Sequence, residues 1–310
     1  MSFLQPFVAV DGGGGGLRMR GSASSGQVVE MEFPGTTLGE VSLEKYYGEH
    51  LAHFIASIGI HPHRVVLTVA GLPGSQAERE SLLRAISEAT NAQEVWLTSD
   101  SVGAHCSAIT GNGVVIAVGT GVAALAVGKN QSYVHELSGD GYLIGDEGGA
   151  YWQGRSGLNS ALRYKDGRGG SKELLTAALS YYETSEGLLA DCVTQYERPV
   201  HKIAGFAPIV SEIAEKGDRF AIAILDQAAE ELSMLATTAH RICGDSDFIA
   251  VLSGGAIPVE GLLFKKTSSL IETAGIPCSA NSATNLDGAT TLAKWENPRM
   301  YAPIVETYTR

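Results

Sequence analysis

Short apolar runs, bounded by glycine or polar residues, dominate the first hundred positions of the chain. Residues 7–10 (FVAV) predict a buried strand, and the glycine run at residues 11–16 (DGGGGG) predicts a turn. Residues 17–20 (LRMR) alternate apolar and basic side chains, as a half-exposed strand does. Further strands are predicted at residues 27–33, 64–70 and 95–99.

Helical periodicity fills the segments between these strands. Apolar residues at helical spacing predict helices over residues 42–58 and 77–90, and an apolar helix follows from Asp100. The resulting order is β-β-β-α-β-α-β-α, which favours parallel and antiparallel strands in one sheet.

The same order of elements begins again near residue 113. The runs VVIAV and VAALAV flank Gly119-Thr120-Gly121, and a third strand is predicted at residues 133–137. Residues 111–128 carry no charge over 18 positions, but the glycine turn divides them into two short β-rich runs. They therefore predict a buried hairpin rather than a membrane span.

Helices dominate the rest of the second half. Helical spacing is predicted through much of residues 151–240, with an apolar stripe in residues 218–241. A buried strand at 248–252, a last helix at about 286–295 and an irregular tail complete the chain. The repeated order predicts an α/β protein of two similar domains, residues 1–112 and 113–310, with a cleft between them.

Composition narrows the class of protein. With 44% hydrophobic and 18% charged residues the chain is predicted to be globular, and a net charge of -12 argues against nucleic acid as a partner. An anionic substrate would need local positive dipoles or a metal ion. The four cysteines are widely separated, and the N-terminal residues show no secretory signal, so we expect a cytoplasmic protein with no membrane partner.

The first glycine turn fits a phosphate-binding hairpin better than either standard nucleotide motif. A dinucleotide fingerprint needs a third glycine where Leu17 stands, and a P-loop needs a GK[ST] sequence that is absent. A turn without side chains lets backbone N–H groups approach a phosphate, although a turn without a ligand is the alternative. Asp11 is suited either to hold Mg²⁺ or to initiate the turn.

Two other segments contain residues suited to phosphoryl transfer or to nucleotide binding. Asp100 ends the strand VWLTS, where a carboxylate either caps the next helix or accepts a proton from a hydroxyl during phosphoryl transfer. His105 is predicted to be packed rather than catalytic. The segment Ser253-Gly254-Gly255-Ala256 would let a base or ribose lie against bare backbone, or would serve helix–strand packing.

Residues 138–152 (SGDGYLIGDEGGAYW) are the richest segment in carboxylates and glycines. Asp140, Asp146 and Glu147 are suited to accept hydrogen bonds from sugar hydroxyls. A calcium loop is the competing interpretation, but the alternate acidic positions and the closing glutamate of an EF-hand are missing.

Taken in order, DGGG, a strand-ending SD, GTG, GDEG-xx-YW and SGG resemble the BadF/BadG/BcrA/BcrD-type ATPases. Within them the chain is similar to the N-acetylglucosamine kinase branch of the actin, sugar kinase and Hsp70 superfamily, over roughly residues 7–295. The resemblance implies two ribonuclease H-like (actin-like ATPase) domains, each with a mixed five-stranded sheet. It also implies a kinase that uses ATP and Mg²⁺ to phosphorylate a hydroxyl of a hexose or amino sugar, as a possible homodimer.

The resemblance also assigns roles to individual residues. Asp100 would be the catalytic base, and Asp11 would be the metal ligand. Nucleotide and phosphate contacts are implied for Asp11, Gly12, Gly13, Gly14, Gly15, Gly119, Thr120, Gly121, Gly254, Gly255 and Ala256. Sugar contacts are implied for Thr36, Thr37, Asp100, Asp140, Gly141, Asp146 and Glu147.

Departures from the family pattern keep alternatives open. These kinases usually show DGGGTKT, and Gly15 and Leu17 replace the two threonines here, so weaker nucleotide binding is expected. Asp140 replaces a tryptophan, which suggests a free amine on the sugar, as in glucosamine. The alternative functions are a catalytically weak sugar- or nucleotide-binding protein and an ATPase that drives a partner protein.

Overall fold

The chain forms two compact units in the computed structural model, which describes residues 5–13, 15–22, 27–36, 41–109, 111–128, 132–244 and 246–310. Unit 1 combines Met1–Thr110 with Ser282–Arg310, and unit 2 is Gly111–Asn281. The predicted domains, 1–112 and 113–310, differ from these units at the C-terminal end, because the last segment packs within unit 1.

Unit 1 contains a six-stranded mixed sheet in the order β11-β5-β4-β1-β2-β3. β1, β4 and β5 are parallel, whereas the β1-β2-β3 meander and β11 are antiparallel to their neighbours. The strands are β1 (Phe7–Gly13), β2 (Gly16–Ser22), β3 (Val28–Phe33), β4 (Arg64–Val69), β5 (Glu94–Ser99) and β11 (Glu306–Thr309). The helices are α1 (Leu43–Ile58), α2 (Gln76–Thr90), α3 (Asp100–Ala108) and α11 (Asn285–Ala293), with a 3₁₀ turn at Arg299–Tyr301.

The predicted order of elements in the first hundred residues is confirmed, but the tail is not irregular. β11 pairs with β5, so the sheet of unit 1 has six strands rather than the predicted five. The sequence pattern did not reveal β11, because a four-residue, partly exposed strand is too short to show a convincing alternation.

Opposite faces of the unit 1 sheet pack against different helices. Tyr47, Leu51 and Phe54 of α1 are buried with α2 in a core on one face. α3 and α11 pack on each other, and α11 also contacts β1 and β4. Two glycines, Gly103 and Gly288, allow the close approach of α3 and α11, because a Cβ on Gly288 would lie 1.8 Å from the carbonyl oxygen of Gly103.

Gly288→Ala is expected to lower the free energy of unfolding by about 2–3 kcal/mol, since the backbone of Gly103 cannot rotate away from the added methyl group. Helix propensity alone would act in the opposite direction, because alanine is the better helix former by about 1 kcal/mol. Urea unfolding measures the change. Gly74→Ala is the control, because a Cβ there meets none of the residues that the structure describes within 4 Å. Equal transition midpoints for the two variants would contradict the proposed packing.

Unit 2 contains a five-stranded mixed sheet in the order β10-β9-β6-β7-β8. The predicted hairpin at residues 111–128 is confirmed as the antiparallel pair β6 and β7. The strands are β6 (Gly113–Val118), β7 (Val122–Gly128), β8 (Tyr133–Ser138), β9 (Ile249–Ser253) and β10 (Cys278–Asn281). β10 is a short strand that the sequence pattern did not reveal.

The predicted helical stretch of unit 2 is divided by glycine, proline and loop residues into several helices. They are α4 (Ala150–Lys165), α5 (Lys172–Tyr181), α6 (Leu189–Thr194), α7 (Pro199–Ala204), α8 (Ala207–Glu215) and α9 (Arg219–Cys243), followed after β9 by α10 (Leu262–Thr273). The predicted stripe of α9 is confirmed, with Ala221, Leu225, Ala228 and Leu232 buried in the core of unit 2. Among the described residues, no helix is both long enough and apolar enough to cross a membrane.

Candidate active site

Asp11 is a buried carboxylate on β1 of unit 1, with 6% of its surface exposed. Arg18 lies opposite it on β2, with Nη2 2.8 Å from Asp11 Oδ2. Burial raises the pKa of Asp11 to about 6, although the charge of Arg18 opposes this rise. The charge of Asp100 raises this pKa further, and a hydrogen bond with the Asn285 side chain lowers it. These four side chains therefore form one electrostatic cluster within unit 1.

Asp100 is the first residue of α3 and follows β5 directly. The helix-capping position belongs to Ser99, so the alternative that Asp100 is the cap is wrong. Because β1 and β5 both run parallel to β4, their carboxyl ends lie at one edge of the sheet, which brings Asp100 near Asp11. His105 is fully buried, with its Nδ1 2.8 Å from the Tyr301 hydroxyl, which confirms that it is packed.

The first glycine turn joins β1 to β2, and its glycines differ in how closely other residues surround them. A Cβ on Gly12 would lie 2.7 Å from the Tyr47 hydroxyl, whereas a Cβ on Gly15 would meet no described residue within 4 Å. Leu17, which replaces a family threonine, is fully buried in the core of unit 1. The space around Gly15 is therefore open to a ligand, while Leu17 contributes to packing. Gly14 lies outside the described residues.

Thr36 lies directly beside this turn. Its backbone N–H donates to the carbonyl oxygen of Gly13 at 3.2 Å, and the residue is buried. Thr37, the other sugar-binding residue predicted in this segment, lies outside the described residues. Unit 1 thus brings together the predicted residues Asp11, Gly12, Gly13, Thr36 and Asp100.

The second glycine turn, in unit 2, is held against the first turn of α4. The N–H of Gly119 donates to the carbonyl oxygen of Gly121 at 2.9 Å. The carbonyl oxygens of Gly119 and Thr120 accept hydrogen bonds from Ala150 and Tyr151 at the start of α4, both at 2.9 Å. The conformation of this turn is consequently tied to the helix that follows the carboxylate-rich loop.

Asp146 connects the second glycine turn to the loop at residues 138–149. Its carboxylate accepts hydrogen bonds from the backbone of Val122 and Gly141, and the residue is 8% exposed. A Cβ on Gly121 would lie 2.1 Å from Asp146 Oδ2, so the carboxylate packs directly on the turn. Burial raises the pKa of Asp146, while the two backbone hydrogen bonds lower it. The geometry therefore gives Asp146 a bracing role, in which its carboxylate holds the second glycine turn against this loop. Its contact with a sugar stays a prediction.

The remaining loop carboxylates are more open to solvent. Asp140 and Glu147 are exposed, and Gly141 between them has a positive φ of 89°. Within the described ranges, no three His, Cys, Asp or Glu side chains are grouped so that they would hold a metal ion. This finding gives no support to the calcium-loop alternative.

A cavity of about 530 Å³ in unit 2 brings the second glycine turn and the 254–256 loop together. Gly119 and Thr120 line it on one side, and Gly255 and Ala256 line it on another. Gly254 has a φ of 112°, and a Cβ there would lie 2.3 Å from the Val118 carbonyl oxygen, so this position requires glycine. Helices α4, α7, α8 and α10 supply much of the remaining wall, which includes Gln153, His201, Ala204, Ala207, Pro208, Glu212, Leu262 and Leu263.

Gln153 is a wall residue that the sequence analysis missed. Its Nε2 donates to the carbonyl oxygen of Gly148 at 2.8 Å, which leaves the amide oxygen to act as an acceptor. That oxygen is buried and has no hydrogen-bond partner among the described residues. A glutamine inside a helical pattern offers no sequence signal for such a role.

Taken separately, the unit 2 cavity fits a nucleotide on chemical grounds, and the Asp11 region of unit 1 fits a magnesium ion. The cavity has a backbone turn at one side, apolar helix walls at another and an unpartnered buried acceptor at Gln153. These are the features expected of a small-molecule site. Mg²⁺ is usually held by one or two carboxylates together with waters and substrate phosphates, and the Asp11 carboxylate beside a glycine turn offers such a donor.

A family model described as "BadF/BadG/BcrA/BcrD ATPase family" matches residues 8–274 of the chain. Among curated proteins, the chain is 29% identical over 207 residues to N-acetyl-D-glucosamine kinase of Dictyostelium discoideum. That alignment covers 62% of this chain and 63% of the length of the kinase, so more than a third of the relative is unmatched.

Solved structures share the fold over nearly the whole chain. A putative N-acetylglucosamine kinase from Chromobacterium violaceum has a TM-score of 0.72 and 22% identity, covering 94% of this chain and 99% of its own. A ROK family glucokinase from Streptomyces griseus, in complex with glucose and AMPPNP, has a TM-score of 0.59 and 14% identity, covering 93% and 98%. These similarities show that the chain has the α/β fold that these structures share.

Proposed function

Since the chain belongs to the BadF/BadG/BcrA/BcrD ATPase family, we propose that it is an ATP-dependent carbohydrate kinase that phosphorylates a hydroxyl of a hexose or amino sugar. The observation that carries the proposal is the unit 2 cavity, where the Gly119–Gly121 turn and the 254–256 loop line one space. Their order in the sequence agrees with the family pattern, and their meeting at one cavity supports the same assignment.

The nucleotide would bind with its base against the apolar helix wall and its phosphates at the glycine turns. Gly255 and Ala256 present backbone where a flat base or ribose approaches, and Ala204 and Ala207 add apolar surface. At the other side, the hydroxyl of Thr120 is suited to donate to phosphate oxygens. In unit 1, Gly12, Gly13 and Gly15 would contact the phosphates through backbone atoms.

Asp100 would act as the general base in phosphoryl transfer. Its carboxylate would orient the acceptor hydroxyl and take its proton as the oxygen attacks the terminal phosphorus. Asp11 would hold Mg²⁺, directly or through water, and the ion when bound would neutralise phosphate charge. Backbone N–H groups of the turns would stabilise the charge that develops on the transferred group.

The sugar would be an amino sugar of the N-acetylglucosamine or glucosamine type. The name of the Dictyostelium relative motivates this class, and the loop carboxylates of unit 2 supply acceptors for sugar hydroxyls. Asp140 is an exposed carboxylate in this loop, and a negative charge there favours a free amine over an N-acetyl group. We therefore expect glucosamine to be the better acceptor.

A coupled ADP assay with ATP and Mg²⁺ tests the proposal against a panel of glucosamine, N-acetylglucosamine and glucose. We expect ADP release that depends on an amino sugar, with slow release when sugar is absent. Calorimetry with the same ligands is run in parallel. Binding of ATP and sugar without ADP release would favour a binding protein, and sugar-independent release would favour an ATPase that drives a partner.

A further inference from the structure

Arg18 is a cationic side chain placed beside the first glycine turn. It lies one residue past Leu17 on β2 and directly opposite Asp11 on β1. Its guanidinium forms an ion pair with Asp11 at 2.8 Å, while 44% of its side chain remains exposed. The charge at this position therefore lies at the same end of the sheet as the turn and is accessible to solvent.

The other arginines of this sheet are bound more completely. Arg20, two residues further along β2, is 17% exposed and contacts Glu30, Asp287 and Thr290. Arg64 on β4 is 11% exposed, and it pairs with Glu94 and packs over the ring of Trp96. Arg18 has one ion pair among the described residues, so most of its five N–H donors are available to a ligand.

The turn beside Arg18 lacks a hydroxyl donor at two of its described positions. Gly15 has no side chain, and Leu17 is buried in the core, so neither position supplies a hydroxyl group. The protein as a whole carries a net charge of -12, which repels a triphosphate at long range. A guanidinium presents a planar fork of N–H donors that matches phosphate oxygens. The Arg18 guanidinium would therefore supply donors in place of the missing hydroxyl groups, and its positive charge would locally offset the repulsion of a triphosphate.

We propose that Arg18 is a phosphate ligand of unit 1. It donates hydrogen bonds to the β- and γ-phosphates of the nucleotide and replaces the hydroxyl donors that its turn lacks. This inference rests on the proposed function, because it takes the ligand of the turn to be a nucleoside triphosphate. Arg18 would keep its contact with Asp11 or exchange it for the phosphate when the nucleotide binds.

Calorimetric titration of the full chain with AMP, ADP and ATP tests the assignment, with and without Mg²⁺. For Arg18→Gln we expect ATP affinity to fall by about 30-fold, the usual scale for losing a charge-assisted hydrogen bond, and AMP affinity to change less than about twofold. Arg18→Lys should give an intermediate loss, because an ammonium group keeps the charge but not the planar fork. Arg84→Gln, on the exposed side of α2, is the matched control with the same change in net charge.

Several outcomes would overturn the inference. Equal losses for AMP and ATP in Arg18→Gln would point to a distorted site, and an equal ATP loss in Arg84→Gln would point to a general charge effect. A loss seen only with Mg²⁺ would mean that Arg18 acts through Asp11 and the ion. If the parent protein binds none of the nucleotides, the proposed function fails; if the parent binds ATP and Arg18→Gln binds it equally well, the inference alone fails.

Discussion

Asp100→Asn is expected to reduce sugar-dependent ADP release by about 10³-fold, within the range found for loss of a general base. The amide cannot accept the proton of the attacking hydroxyl, although it has nearly the same shape as the carboxylate. Because the contribution is made in the transition state, the fall should appear in kcat, with less change in the KM for sugar. A coupled assay over a range of sugar concentrations measures both quantities.

The control for this substitution addresses the position of Asp100 in the first turn of a helix. A carboxylate there also stabilises the helix, typically by about 0.3–1 kcal/mol, so some loss of stability is expected on this ground alone. Asp191→Asn makes the same change in the first turn of α6, which contains none of the candidate catalytic residues. Turnover of Asp100→Asn within a few-fold of the Asp191→Asn protein, with both folded, would show that Asp100 is not the base.

Asp146→Asn is expected to lower kcat/KM for sugar phosphorylation by about 100-fold, and to weaken ATP binding by about tenfold. The backbone of Val122 and Gly141 donates to the Asp146 carboxylate, and an asparagine amide offers a single acceptor oxygen to both. Its NH₂ group would face a donor, so the turn at Gly119–Gly121 should shift. Asparagine tolerates the positive φ of 61° at this position, so the backbone itself need not be strained.

Asp140→Asn separates the bracing role of Asp146 from direct contact with sugar. Both substitutions remove one negative charge from the same loop, but Asp140 is exposed whereas Asp146 is buried. For Asp140→Asn we expect a changed preference among amino sugars and unchanged ATP affinity. Calorimetry with ATP gives the deciding measurement, and an ATP affinity in Asp146→Asn equal to that of the parent would refute the bracing role.

Elements with strong periodicity were predictable from the sequence, and so was their order. The α9 stripe and the β6–β7 hairpin follow from local patterns of apolar residues, which act over a single element. β10 and β11 were missed because four-residue strands carry little pattern of their own. The return of the C-terminal segment to unit 1 depends on the close contact of Gly103 with Gly288, a long-range relation that one sequence does not reveal.

The candidate site was predictable where it is formed by backbone turns that have a recognisable sequence motif. The glycine turns and the carboxylates that adjoin them stand out in the sequence, and the structure groups them within their units. The cavity walls were not predictable. Gln153 and the residues near Ala204 belong to helices whose spacing of apolar residues indicates only which side packs against the core. Arg18 was visible as one basic residue in an alternating strand, but its pairing with Asp11 required the strand register.

Unit 1 is built from two separate segments of the chain, and this affects the order in which the chain acquires its structure. Unit 2 is continuous in sequence, from Gly111 to Asn281, so every strand of its sheet has been synthesised before the last segment leaves the ribosome. The sheet of unit 1 has an incomplete edge until β11 reaches β5, and α3 lacks its partner α11 until then. Unit 2 can therefore complete its sheet without residues 282–310, whereas a chain that ends before residue 282 would lack the strand and the helix that complete unit 1.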